Sequence, residues 1–455
     1  MLRSVDFRSS GRNLLLAVVC GFGLAACSGG SSDDGGETST ETAPGVATNF
    51  VATAGDEQVV FTFDAPASGG IARQYTVTCE ATDEATVSRF SASSPVTISG
   101  MVNDVEYSCT IVATNNGGDG PASDPVLVTP NTGFEEADCT LETTDAGNIT
   151  CLTNNLMAGY TRTQRNASLY ELTEANATDY WSTFRPAVFP RRGVPYISMT
   201  DEQLEDANAL AEAVFSAAGL ERYTGIRSAD EFLGDTLTGF SSGLYYFSVL
   251  GTPSATDPWI LVITGHNYTL FASVEGDFIS LTPNFIGVEP PEFTLSDEDF
   301  APLADRKAAL LAVIDSLTDA ELATAALGET FDDILAGPRA DNAYPDPQEG
   351  VAVSDLTADQ RALIVAAIQT FSDDQVNTPL TAEYTTDAAL DGTFIATAGE
   401  TDLTTQGSYI RIDGPRVWLE FIVIPGTATS DDYIKTIWRD KQLDYGGNFD
   451  LTDDE

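Results

Sequence analysis

The chain has 455 residues, with 21 Lys+Arg, 69 Asp+Glu and one His, a formal net charge of −48. That balance argues against nucleic-acid binding and against docking on anionic lipid through a basic patch, because both need clustered Lys and Arg. A hydrophobic content of 42% excludes a disordered tail, and the length gives room for two or three folded units.

Residues 1–26 read as a processing signal. Arg3, Arg8 and Arg12 form a positive start, and the apolar run at 14–22 is too short to span a bilayer. Leu24-Ala25-Ala26-Cys27 then resembles a bacterial lipobox. The resemblance implies removal of the preceding peptide and acylation of Cys27, since several acyl chains on one residue make a stable anchor. Ser28 in place of Asp implies sorting to the outer membrane, so that membrane, reached through lipid on Cys27, is the expected location and partner. Residues 27–43, rich in Gly, Ser, Thr and acid, read as a tether with a reach of roughly 20–25 Å. Carboxylates spread along a chain with only Lys307, Lys435 and Lys441 as lysines read as a hydrated, soluble surface.

Cys20 leaves with the signal, which leaves Cys79, Cys109, Cys139 and Cys151. An even set in an exported protein reads as two disulfides, with three pairings open. No Cys-x-x-Cys is present and one His cannot complete a zinc set, so neither a metal nor a cofactor is expected.

Over 44–132 short apolar-polar alternations broken by Gly, Pro, Asn and Asp predict a β-sandwich, with strands at 50–54, 58–63, 73–79, 95–98, 106–113 and 123–128. Phe63 followed by Asp64-Ala65-Pro66, Tyr75, Met101 six before Tyr107, and Asn115, Gly117, Gly118, Gly120 and Ser123 resemble a fibronectin type III domain. The resemblance implies a tyrosine corner at Tyr107. It also makes the strands of Cys79 and Cys109 neighbours, which pairs those two and leaves Cys139 with Cys151 in a short loop contributing about 3 kcal/mol. No Arg-Gly-Asp occurs at 115–121, so the sandwich is expected to be a spacer.

From 139 to 455 the pattern turns to mixed helix and strand without a repeating βαβ unit, so an α+β domain is expected after the β-sandwich. Thr200 with Gln203, Thr318 with Glu321, and Thr357 with Gln360 read as capping boxes. Leu204, Ala207, Ala211, Val214 and Phe215 follow the first at helical spacing. Strands are expected at 244–250, 259–264, 268–274, 278–281, 409–412, 417–424 and 433–438. Asp297, Glu298 and Asp299 read as the acidic first turn of a helix.

Tyr245 to Pro253, Pro258-Trp259, Gly265-His266, Pro283 to Gly287, Pro290, Tyr409 to Pro415, Glu420, Trp438-Arg439-Asp440 and Asp444 to Gly447 resemble domain of unknown function 3500 over about 160–450. That family implies no established activity. Its pattern has two histidines after the glycine, where this chain has His266 and Asn267, and a histidine pair before Trp-Arg-Asp, where it has Tyr433 and Lys435. A further histidine near the family's C-terminus has no counterpart in 451–455. A histidine metal cluster is therefore not expected.

Gly239-Phe240-Ser241-Ser242-Gly243 fits a nucleophile elbow only on paper, because it precedes a strand, so a Ser241, Asp257, His266 triad is not expected. The catalytic candidates are His266, Glu420, Arg439 and Asp440, with Glu420 a base only if a cleft reaches it. Arg411, Arg439 and Asp444 are the candidate binding residues, since scarce arginines near a cleft suit an anion. His266 itself is expected to be structural or an auxiliary binding group. Three functions follow: a noncatalytic envelope lipoprotein presenting a binding domain to an envelope protein or polymer, an exported hydrolase-like enzyme using His266 with nearby carboxylates, or an assembly partner facing the periplasm.

Overall fold

The computed structural model describes residues 41–376 and 380–451. The expected signal peptide, Cys27 and nearly all of the expected tether lie outside the described residues, as do 452–455. The chain is multidomain, a fibronectin-type β-sandwich followed by an α+β domain.

In the sandwich one sheet pairs Thr48–Gly55, Gln58–Asp64 and Val96–Ser99, and the other is built on Gln74–Glu80 and Tyr107–Asn115. Strand Tyr107–Asn115 alternates buried and half-buried residues along its whole length, the period-two pattern of a strand with one face in a core. Tyr107 is 1% exposed and its hydroxyl accepts from the Val102 amide at 3.1 Å, closing the tyrosine corner. Cys79 and Cys109 face each other in register and are bonded, as are Cys139 and Cys151. The strand Val87–Ser91 was not expected; its run Val-Ser-Arg-Phe-Ser is largely exposed and carries little hydrophobic signal.

The sandwich is docked on the second domain through a hairpin tip. Asp56 accepts from Arg165 Nε at 2.9 Å and Nη2 at 2.7 Å, a two-point contact that fixes orientation as well as distance. Arg165 also donates to the carbonyls of Met157, Ala158 and Tyr160, so it caps the helix Asp145–Gly159 while holding the other domain.

The α+β domain is organised around a 12-stranded sheet among the described residues. Its spine runs Tyr246–Leu250, Trp259–Thr264, Tyr268–Glu275, Asn284–Val288, Asp432–Asp440, Val417–Pro425, Tyr409–Asp413 and Phe394–Ala398, all antiparallel. The sheet is covered on both faces, so strands such as Trp259–Thr264 are buried at every position. One face packs the helices, through residues such as Ile226, Leu310 and Ile364. The other is covered by irregular chain carrying Trp181, Ile334 and Tyr445.

The segment 297–299 corrects the expected helix start. Phe293–Leu295 and Glu298–Phe300 form a hairpin whose two turn residues, Ser296 (φ 53°) and Asp297 (φ 66°), both have positive φ, the requirement of a type I′ turn. The helix begins at Ala304 instead. The three expected capping boxes are present, and a fourth joins Thr161 and Gln164.

The α+β domain runs through one series of elements twice. Helices Asp145–Gly159 and Arg162–Ser168 correspond to Ala304–Ser316 and Asp319–Ala325, and Asp201–Val214 corresponds to Ala358–Ser372. Gln203 Nε2 donates to Gly159 O at 2.7 Å, and Gln360 Nε2 donates to Ser316 O at 2.9 Å. Gly193 (φ 103°) and Gly350 (φ 107°) stand seven residues before the paired caps Thr200 and Thr357. A Cβ on either would lie 2.3 Å from Phe247 O or 2.2 Å from Ile395 O. In each half a glycine turn ends a strand, with Gly265 N donating to Tyr268 O and Gly414 N to Val417 O. The halves join where Asn284–Val288 pairs antiparallel with Asp432–Asp440.

Candidate functional site

A cavity of about 420 Å³ opens beside the first glycine turn. Five pieces of chain form it: the turn at His266, the hairpin loop carrying Thr427 and Ala428, the strand residues Tyr433 and Lys435, and the two segments 183–188 and 237–240.

His266 is 4% exposed and lines the cavity. Its Nδ1 is 2.8 Å from Asp230 Oδ1, and the other carboxylate oxygen of Asp230 accepts from the Tyr245 hydroxyl at 2.7 Å. Burial and the neighbouring Asp230 push the Tyr245 hydroxyl well above its ordinary range, so it stays a donor. With Nδ1 engaged, Nε2 is the ring nitrogen left to the cavity, and it has no hydrogen bond among the described residues. The Phe240 ring sets the imidazole from the side at 5.1 Å.

Arg191 ties the covering segment to the turn. It is 9% exposed and donates to Thr264 Oγ1, to the carbonyl of Gly265 and to those of Ser182, Phe184 and Phe189. Burial among neutral acceptors pulls its guanidinium down to about 10. In the second half the residue two before Gly350 is Gln348, whose Nε2 donates to Asp413 O at 2.8 Å and Asp413 Oδ1 at 3.0 Å. The same tie, at the end of the corresponding strand, is therefore made there by a neutral amide.

Lys435 is 4% exposed, bonded to both oxygens of Asp333 at 2.9 and 2.8 Å and to Thr183 Oγ1 at 3.3 Å. The fully buried Glu289 fixes the hairpin loop by accepting from the amides of Thr427, Ala428 and Thr429 at 3.0, 2.8 and 2.7 Å. The positions of the two histidine pairs in the resembled pattern come together here. His266, Tyr433 and Lys435 share the cavity, and the Tyr433 hydroxyl donates to Asn267 Oδ1 at 2.5 Å.

The other sequence candidates are placed elsewhere and are engaged. Glu420 is 1% exposed and holds four donors: the amides of Leu335 and Ala336, the Tyr409 hydroxyl and Trp418 Nε1. Buried and engaged by those four donors, it pins the covering segment to the sheet. Arg439 is fully buried between Asp341 at 2.7 Å, Asp444 at 3.0 Å and the carbonyls of Ala336 and Gly337. Two carboxylates share that one cation, and burial pushes Asp444 up to about 7 against the pull of Arg439. Asp440 accepts from Tyr384, Arg416 and the amides of Gln442 and Leu443. Arg411 is paired with Glu349 at 2.7 Å. His266, Arg439 and Asp440 thus do not converge on one cleft. Ser241 is bonded to Glu231 and Asp257 to Ser254, so the triad with His266 does not form.

Sequence reasoning missed Asp230, Arg191 and Glu289. Asp230 left a signal: it is an acid on a helical apolar stripe beside Ile226, Ala229 and Leu233. Among the described residues no group of three or more His, Cys, Asp or Glu is placed to hold a metal ion.

Comparison with known proteins agrees with this architecture. Residues 43–129 match the fibronectin type III domain, and solved structures similar to the chain include the FN5 domain of Drosophila Lar. That structure is 18% identical, with 19% of this chain and 96% of that chain covered and a TM-score of 0.18. The chicken CNTN1 FN1–FN3 domains are 13% identical, with 20% and 33% covered and a TM-score of 0.18. At such scores these likenesses carry no argument. No curated protein matches. Residues 142–447 match the family described as protein of unknown function (DUF3500), and because that match spans most of the chain, the protein belongs to that family.

Proposed function

We propose that this is a lipid-anchored envelope protein, held at the outer membrane through Cys27, whose α+β domain binds a small ligand in the cavity at His266 and is presented on the fibronectin-type domain as a spacer. The observation that carries the binding reading is the difference between the halves. The glycine turn of the first half sets an oriented imidazole at a cavity that Tyr433 and Lys435 of the second half also line. In the second half the corresponding turn runs into Arg416, which is paired with Asp440 at 2.5 Å. A concave site with a few convergent polar groups is the usual form of a ligand pocket. Membrane fractionation tests the anchor: wild type is expected in the membrane pellet and Cys27→Ala in the soluble fraction. A Cys27→Ala protein still wholly in the pellet means another anchor.

The Asp230–His266 contact favours one second reading, a hydrolase. His266 Nε2 would take a proton from a water that adds to an ester carbonyl, and would return it to the departing alkoxide, giving acid and alcohol. Ester turnover abolished by His266→Gln supports it; no turnover of small esters by wild type leaves the binding reading.

A further inference from the structure

The cavity at His266 is richer in positive charge than its fold requires. Arg185 lines it, and its side chain donates to the Thr238 carbonyl at 3.4 Å. Arg191 stands behind the turn with carbonyl and hydroxyl partners. Neither makes an ion pair with a carboxylate among the described residues, although the chain has 69 Asp+Glu against 21 Lys+Arg. In the second half the corresponding tie is made by the neutral Gln348, onto Asp413, whose carboxylate is paired with Lys441 at 2.6 Å. There the cation has a carboxylate partner, whereas Arg185 and Arg191 have none among the described residues.

The rim is apolar. Phe184 and Val188, which line the cavity together, are 57% and 60% exposed. Phe240 carries Arg185 over its ring at 5.2 Å. Large apolar side chains left in water together at a cavity mark a binding surface.

Resting on the reading of the cavity as the binding site, we propose that it takes an organic monocarboxylate with an apolar body. The carboxylate lies against Arg185, and the body lies against Phe184, Val188 and Phe240. A guanidinium fork matches a carboxylate in two-point fashion, and a cation without a carboxylate partner has the most to gain from one. Asp230 and Asp333 stand directly behind lining residues of this space, paired to His266 and Lys435. A multiply charged phosphate would meet their repulsion, so a single negative charge fits best.

Titration calorimetry on the purified full chain tests this with benzoate and hexanoate against benzyl alcohol, hexanol and inorganic phosphate. The carboxylates are expected to bind about tenfold or more tighter than the matching alcohols, the worth of one charged hydrogen-bonded contact. Arg185→Gln is expected to remove that advantage and leave the alcohols unchanged, while Phe184→Ala weakens acids and alcohols alike. Both side chains are at the surface of the cavity, and an unchanged melting curve checks that the variants fold. Alcohols that bind as well as the acids and respond to Phe184→Ala overturn the ligand class but keep the cavity as a binding site. Tighter binding of phosphate, or Arg185→Gln without effect on benzoate, also overturns the ligand class. Binding of none of the five compounds overturns both.

Discussion

At the residue scale, the acids divide by what their oxygens touch. Asp230 serves two buried donors, His266 Nδ1 and the Tyr245 hydroxyl. Asp230→Ala leaves both unsatisfied, at a cost of about 2–4 kcal/mol in the denaturant midpoint. An unchanged midpoint would mean that the contact does not hold the turn. Asp444 makes a prediction with a sign. Its carboxyl is raised to about 7 by burial, so the folded chain binds a proton that the unfolded chain releases near 4. The associated stability is present below about pH 4 and is lost as pH rises through about 7. Melting at pH 5 and pH 8 is therefore expected to show a smaller fall for Asp444→Asn than for wild type. Equal falls would assign the pH dependence to other groups. The sequence showed Asp444 and Arg439 as a cluster but not that Asp341, about a hundred residues away, shares the cation.

At the element scale, the strongest local signals were legible and the tertiary ones were not. The boxes at Thr200, Thr318 and Thr357 announced their helices because capping is a contact over three residues. The hairpin at Ser296-Asp297 was misread because acids suit a helix start and a positive-φ turn alike, and the pairing of Phe293–Leu295 with Glu298–Phe300 decided between them. The duplicated series was hidden because its loops and strands have diverged, leaving the spacing Gly193 to Thr200 to Gln203 and Gly350 to Thr357 to Gln360 as its trace. Gly193→Ala and Gly350→Ala are expected to cost similar amounts, about 1–3 kcal/mol or more, because each puts a Cβ against a strand carbonyl at positive φ. Two widely different losses in thermal melting would contradict the equivalence of the halves.

At the scale of the whole molecule, the contact of Asp56 with Arg165 turns two domains into one oriented body. Burial raises the Asp56 carboxyl, but its bonds to Arg165 and Asn103 outweigh this and hold it below its ordinary range. A lowered acid stabilises above its unfolded value and loses that effect as pH falls through the folded one. The domains are therefore expected to stay docked at neutral pH, and Asp56→Ala to widen the interdomain distance distribution in small-angle scattering. A variant profile identical to wild type would mean that other contacts carry the docking. The central claim is that His266, held by Asp230, faces a ligand cavity, and the chain contains no other histidine. Nitrogen-15 spectroscopy of the imidazole therefore reads this site alone in the untagged protein. The account predicts a proton on Nδ1 and an Nε2 resonance that moves on saturation with benzoate. A proton on Nε2 alone, or an Nε2 signal indifferent to every compound that binds the chain, would contradict it.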